Sequence, residues 1–165
     1  MPDLPQAPGR AAVVPSRDFG PDPVPDLTGV TVLLVGGGVQ DMRQVSIWID
    51  SFGGLGVMTA QADVALGWLA RPGRGPALAV VDCDDLGDAE AIVDFGFEVR
   101  RVAPDVPVIL LSSFVSRSDL TTECMMVCDV TLRNPVSFAA FKLGLVVARD
   151  NHRHYLCAVH PTPEA

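Results

Sequence analysis

Residues 77–87 read Ala77-Leu78-Ala79-Val80-Val81-Asp82-Cys83-Asp84-Asp85-Leu86-Gly87, an apolar run that stops abruptly at acid. A short, uninterrupted apolar run bounded by turn residues is the pattern of a parallel strand buried on both faces. The carboxyl end of such a strand is where open α/β sheets place their ligand sites. Asp82, Asp84 and Asp85 therefore crowd one strand end.

The same alternation extends in both directions. Upstream, Val30 to Val35 closes on Gly36, Gly37 and Gly38, a strand followed by a tight turn. Gln40 to Phe52 then places Met42, Val45, Ile49 and Phe52 on one helical stripe, stopped by Gly53 and Gly54. Leu55 to Ala60 reads as a second strand and Ala62 to Ala70 as a second helix, ended by Arg71-Pro72-Gly73. Downstream, Asp88 caps a third helix whose stripe is Ile92, Phe95, Val99 and Val102, and Pro104 ends it. Val108 to Leu111 is a fourth strand running into Ser112 and Ser113. Ser118 to Val127, with Leu120, Cys124 and Val127, predicts a fourth helix, and Asp129 to Leu132 a short fifth strand. Ser137 to Asp150 predicts a fifth helix, apolar around most of its circumference, which is the pattern of a buried helix or of half an interface. Five strands alternating with five helices predict an α/β, flavodoxin-like doubly wound (βα)5 sandwich with a five-stranded parallel sheet.

Composition bounds the rest. Residues 1–27 hold seven of the fourteen prolines and predict a disordered leader, 28–150 the folded domain, and 151–165 a C-terminal tail. All three histidines, His152, His154 and His160, fall in that tail and read as solvated surface. The net charge of −8 and pI near 4.6 argue against nucleic acid, because no basic excess exists to neutralise phosphates. No long apolar run predicts a membrane span and the first residues lack a signal-peptide pattern, so a cytoplasmic protein is expected. The four cysteines form no CxxC pair; three of them sit in apolar periodic segments and predict buried free thiols. Cys124 and Cys128 are spaced i, i+4, but a zinc site needs more ligands, and no metal or cofactor is expected.

Several strand-end motifs carry a resemblance. Val80-Val81-Asp82, Ala103-Pro104-Asp105-Val106-Pro107 leading to Ser112, and Thr131-Leu132-Arg133-Asn134-Pro135 stand in the order and spacing of bacterial response-regulator receiver domains. Over roughly Gly29 to Arg149 the chain resembles that family. The resemblance implies that Asp82 holds the phosphoacceptor position and that Ser112 and Thr131 hold the switch positions. It also shows a degenerate pocket. Gly36 and Gly37 stand where the family has two Mg²⁺-binding acids, Asn134 where it has a lysine, and Asp84 and Asp85 add acid beside the site. Phosphoryl transfer depends on positioning and on charge neutralisation by metal and cation. The expected function is therefore a stand-alone pseudo-receiver, not an enzyme, acting as a signalling interaction module independent of Mg²⁺-dependent aspartyl phosphorylation.

Its implied partners are a histidine kinase or another signalling protein, and a second copy through the last helix, with Phe138, Phe141 and Leu145 as interface candidates. One alternative is a phosphorylatable single-domain response regulator in a phosphorelay. A second is a nucleotide-binding Rossmann-like domain, since Gly36 and Gly38 fit the first two positions of a dinucleotide fingerprint; the third position is Asp41, whose carboxylate opposes a pyrophosphate. A phosphatase built on Asp82-Cys83-Asp84 is a third, lacking the lysine and further acids such enzymes use.

Overall fold

The chain was analysed as a computed structural model that describes residues 23–163. Residues 1–22 of the expected leader lie outside the described residues. Nine regular elements follow in order: β1 (Thr31–Val35), α1 (Val39–Ser51), β2 (Leu55–Thr59), α2 (Ala62–Leu69), β3 (Leu78–Asp82), α3 (Ala89–Val102), β4 (Val108–Ser112), β5 (Val130–Arg133) and α4 (Phe138–Val159). The strands form one parallel sheet in the order β2-β1-β3-β4-β5. Every residue of β3 and β4 is buried, as continuous apolar strands covered on both faces should be. Each fully buried Val or Leu contributes about 1.5–3 kcal/mol of transfer free energy. Two apolar clusters result. One, under α1 and α4, includes Met42, Ile49, Phe141 and Leu145; the other, under α2 and α3, includes Leu69, Phe95 and Val99.

Order begins earlier than the proline pattern predicts. Leu27 is fully buried and its N–H donates to the Phe52 carbonyl at 2.9 Å, so the end of the expected leader is part of the core.

The expected fourth helix is absent. Residues 118–127 form successive turns instead, and the backbone of Asp119 pairs antiparallel with Thr131 along the outer edge of β5. Local bonds explain the difference. The Asp119 carboxylate accepts from the N–H and hydroxyl of Thr121 at 2.8 and 2.7 Å, offering the backbone an alternative to a helical ladder. The segment is also packed tightly on α3: a Cβ on Gly96 would stand 2.7 Å from the Val127 carbonyl oxygen.

What holds this irregular segment is a buried polar network. Arg100 of α3 meets the Asp129 carboxylate at 3.1 Å, and Nδ1 of His152 lies 3.2 Å from the same carboxylate. Arg100 also donates to the carbonyls of Met125 and Val106 and stacks over the Tyr155 ring, 4.3 Å from its centre. Asp129 accepts from the Val108 N–H at 2.7 Å, and Asn151 donates to the carbonyls of Leu120 and Asp129. The turns are thus tied to α3, β4 and α4 at once.

The network requires α4 to run on to Val159, beyond the predicted end at Asp150. Residues 151–159 are helix and not tail. Phe141, Leu145, Ala148, His152 and Tyr155, spaced four, three, four and three apart, form one buried stripe. His152 is therefore a core residue, correcting its reading as solvated surface, whereas His154 and His160 are exposed.

Candidate functional site

Strand order reverses between β1 and β3, and the carboxyl ends of those strands bring Gly36, Gly37, Gly38 and Asp82 together. Asp82 is buried, and its Oδ1 accepts from the Asp84 N–H at 3.1 Å. Burial raises the Asp82 pKa above the usual carboxylate range. The Asp84 N–H opposes the shift, while the charges of Asp85, Asp84 and Asp41 add to it. Gly36 sits so close that a Cβ there would lie 2.8 Å from the Asp82 Cβ, which leaves no space for an acid at that position without a shift.

Beyond Asp82 the chain makes a single 3₁₀ turn, Cys83–Asp85, which sends its two acids in different directions. Oδ2 of Asp85 accepts from the N–H groups of Gly37 and Gly38 at 2.8 and 2.7 Å. Gly38 is the N-cap of α1 and supplies no side chain, so Asp85 caps that helix from a neighbouring loop, where its negative charge is favourable. Asp84 reaches the other way, accepting from the Ser113 N–H just past β4 at 3.0 Å. Neither acid caps α3; that role belongs to Asp88, as its place in the sequence predicts, and it accepts from the Ala91 N–H at 2.9 Å. Among the described residues no group of three or more His, Cys, Asp or Glu side chains is placed to hold a metal ion.

The remaining predicted site residues divide. Asn134 follows β5, donates its N–H to the Ser112 carbonyl at 2.9 Å, and is buried with no partner at its side-chain oxygen. Ser112 is buried beside it and its hydroxyl accepts from the Phe114 N–H at 3.2 Å. Thr131 lies 3.5 Å from the Cys128 sulfur through its hydroxyl. Ser112 and Thr131 line a cavity of about 610 Å³ between α3, β4, β5 and the turn segment, which the sequence reading missed. The signal for it was Asp119, Thr121 and Thr122 within the fourth-helix pattern, residue types that compete with a helical backbone.

Cys83 and Cys128 also line this cavity, and burial pushes their thiols up to about 12 and about 11. Cys124 and Cys157 are exposed, correcting the expectation of three buried thiols. The interface candidates need correction as well. Phe141 and Leu145 face the sheet and are fully buried, so neither is open to a second copy. Phe138 is half-exposed and stacks on Phe52, their ring centres 5.7 Å apart.

Among solved structures the chain is similar to a response regulator from Thermotoga maritima, with 20% identity and TM-score 0.59 over 75% of this chain and 99% of that one. The fold is that of a receiver domain. A CheY-like receiver domain protein from Methanospirillum hungatei JF-1 gives 15% identity and TM-score 0.59 over 78% and 98%. A receiver protein from Burkholderia phymatum gives 24% identity and TM-score 0.55 over 72% and 94%. No protein-family model and no curated protein sequence matches the chain. The chain has the receiver sheet with four helices, the turns at 118–127 taking the place of a fifth. No helix among the described residues is long and apolar enough to cross a membrane.

Proposed function

We propose that this receiver-fold chain is a signalling module that acts by binding protein partners, with no enzymatic step and no Mg²⁺-dependent phosphorylation of Asp82. The observation that carries the reading is the pair of bonds from Asp85 to Gly37 and Gly38. A hard divalent cation wants several oxygen ligands with compensating charge. Here the glycine positions bring no carboxylate, and the nearest acid besides Asp82 is already engaged by two N–H groups. The residues present therefore do not fit Mg²⁺. A phosphoryl group on Asp82 would meet the charges of Asp84 and Asp85 with Asn134 supplying no cation. The same two bonds weigh against the Rossmann-like alternative, since the N–H groups that would cradle a phosphate are taken.

Partners in this reading are a histidine kinase or another signalling protein. The buried positions of Phe141 and Leu145 withdraw two of the three side chains proposed for a dimer through α4. Titration calorimetry with MgCl₂ tests the metal half of the reading. Wild type and Asp82→Asn should give the same featureless dilution heats into the millimolar range. A saturable heat in wild type that Asp82→Asn abolishes would restore the metal-dependent switch.

A further inference from the structure

The sheet ends differently at its two edges. Along β5 the turn segment closes it: Asp119 and Thr131 exchange backbone bonds at 2.7 and 2.9 Å, and the Arg133 N–H donates to the Ser118 hydroxyl at 3.0 Å. Along β2, among the described residues, no backbone segment pairs with the outer side. Edge strands are normally blunted by a charge, a proline or a bulge. Leu55-Gly56-Val57-Met58-Thr59 has none of these, and Leu55 and Met58 are 60% and 41% exposed.

The backbone of β2 suits a two-fold partner. The Leu55 N–H donates to the Val30 carbonyl and the Thr59 carbonyl accepts from the Gly36 N–H, each at 2.9 Å. Leu55, Val57 and Thr59 therefore turn their backbone groups toward β1, and Gly56 and Met58 turn theirs outward. An antiparallel copy of the same strand, centred on Val57, sets Gly56 of each copy opposite Met58 of the other. Each such pair exchanges two N–H···O bonds, which satisfies both outward residues of both strands.

Charge follows the same axis. A Cβ on Gly56 would stand 2.9 Å from the Ser46 hydroxyl, which sets this side of α1 against the middle of β2. Arg43 and Asp50, three residues before Ser46 and four after it, share that side, and with Ile47 they make an exposed stripe. On the other sheet face Asp63 is exposed in the first turn of α2, beyond the carboxyl end of β2, while Arg71 and Arg74 line a depression with Thr31 and Val57. A two-fold axis through Val57 lays the amino end of one strand along the carboxyl end of the other. Arg43 then faces Asp50 across it, and Arg71 and Arg74 approach Asp63.

We propose that the β2 edge joins two copies of this chain into a two-fold dimer with one continuous sheet. The chain's own amino-terminal residues approach from elsewhere: the Asp26 carbonyl accepts from Arg149 of α4 at 3.2 Å, and α4 packs over β4 and β5 at the far end of the sheet. Asp82 lies on the interior strand β3, so the dimer goes beyond the reading of that site and stands apart from it.

Sedimentation of the full chain across the micromolar range tests the proposal. Wild type should show a monomer–dimer equilibrium, with amide exchange at Gly56 and Met58 slowing as dimer forms. Met58→Lys, an edge charge that the monomer tolerates, should abolish dimerisation. Arg43→Glu and Asp50→Lys should each weaken it about tenfold by setting like charges across the axis. Mixed together, these two variants should pair with each other at about wild-type affinity, because each supplies the charges the other lacks. Mutual pairing no stronger than self-pairing, or a dimer that survives Met58→Lys and is lost in Phe138→Glu, would overturn the proposal. So would a strict monomer, whether its Gly56 and Met58 amides exchange slowly, which assigns the edge to residues 1–22, or fast, which leaves it to a different protein.

Discussion

Asp82 and Asp129 are both buried aspartates at strand termini, one at the carboxyl end of β3 and the other at the entry to β5. Asp129 meets a guanidinium, an imidazole and a backbone N–H within 3.3 Å. Asp82 meets one backbone N–H and the charges of three other acids. A buried charge is tolerated where partners replace the water it lost. By that standard Asp129 holds the fold together, while Asp82 is a local liability that the fold tolerates. The acids near Asp82 are used as loop ties, and among the described residues the charges acting on Asp82 are those of other acids.

The contrast is broken most severely at Asp129. Asp129→Ala leaves Arg100 buried without its carboxylate and should cost about 3–5 kcal/mol in urea unfolding. Replacing both partners together, as Arg100→Met with Asp129→Leu, should cost clearly less than the sum of the single changes, because no orphaned charge remains.

Asp85→Ala comes next, at about 1–2 kcal/mol, the scale of a lost helix cap. It should also speed amide exchange at Gly37 and Gly38, which a general destabilisation would not single out.

Asp82→Asn is the smallest effect and runs the other way, stabilising by under about 1 kcal/mol at neutral pH. The amide oxygen keeps the bond from the Asp84 N–H and removes the charge. Because burial raises the folded-state pKa of Asp82, the folded protein binds more protons than the unfolded chain between the two values. This group therefore makes wild type less stable as pH rises from the unfolded pKa through the folded one. The advantage of Asp82→Asn should grow over that window and level off above it; an advantage independent of pH would show that burial of Asp82 does not disfavour its charged form.

Strand positions and the aspartate at the end of β3 were legible because continuous apolar runs and glycine or proline breaks record them directly. The 118–127 segment was not. Leu120, Cys124 and Val127 are spaced as in a helix, but Asp119, Thr121 and the Arg100 guanidinium compete for the same backbone groups. That competition depends on a residue 25 positions away from the Met125 carbonyl, which local periodicity does not register. His152 was legible in principle, since it continues the stripe of Phe141, Leu145 and Ala148. The polar cluster from Asp150 to His154 masked it. At the candidate site the missing acids and lysine were plain in the sequence, whereas the destinations of Asp84 and Asp85 needed the fold, because their partners lie 29 and 47 to 48 residues away.

The central claim is that Asp82 no longer works as a metal-dependent phosphoacceptor. Incubation with a small acyl phosphate and MgCl₂, read by intact mass, tests it most directly. Wild type should remain unmodified, matching Asp82→Ala. A stable phosphoryl adduct on wild type that is missing from Asp82→Ala would contradict the account.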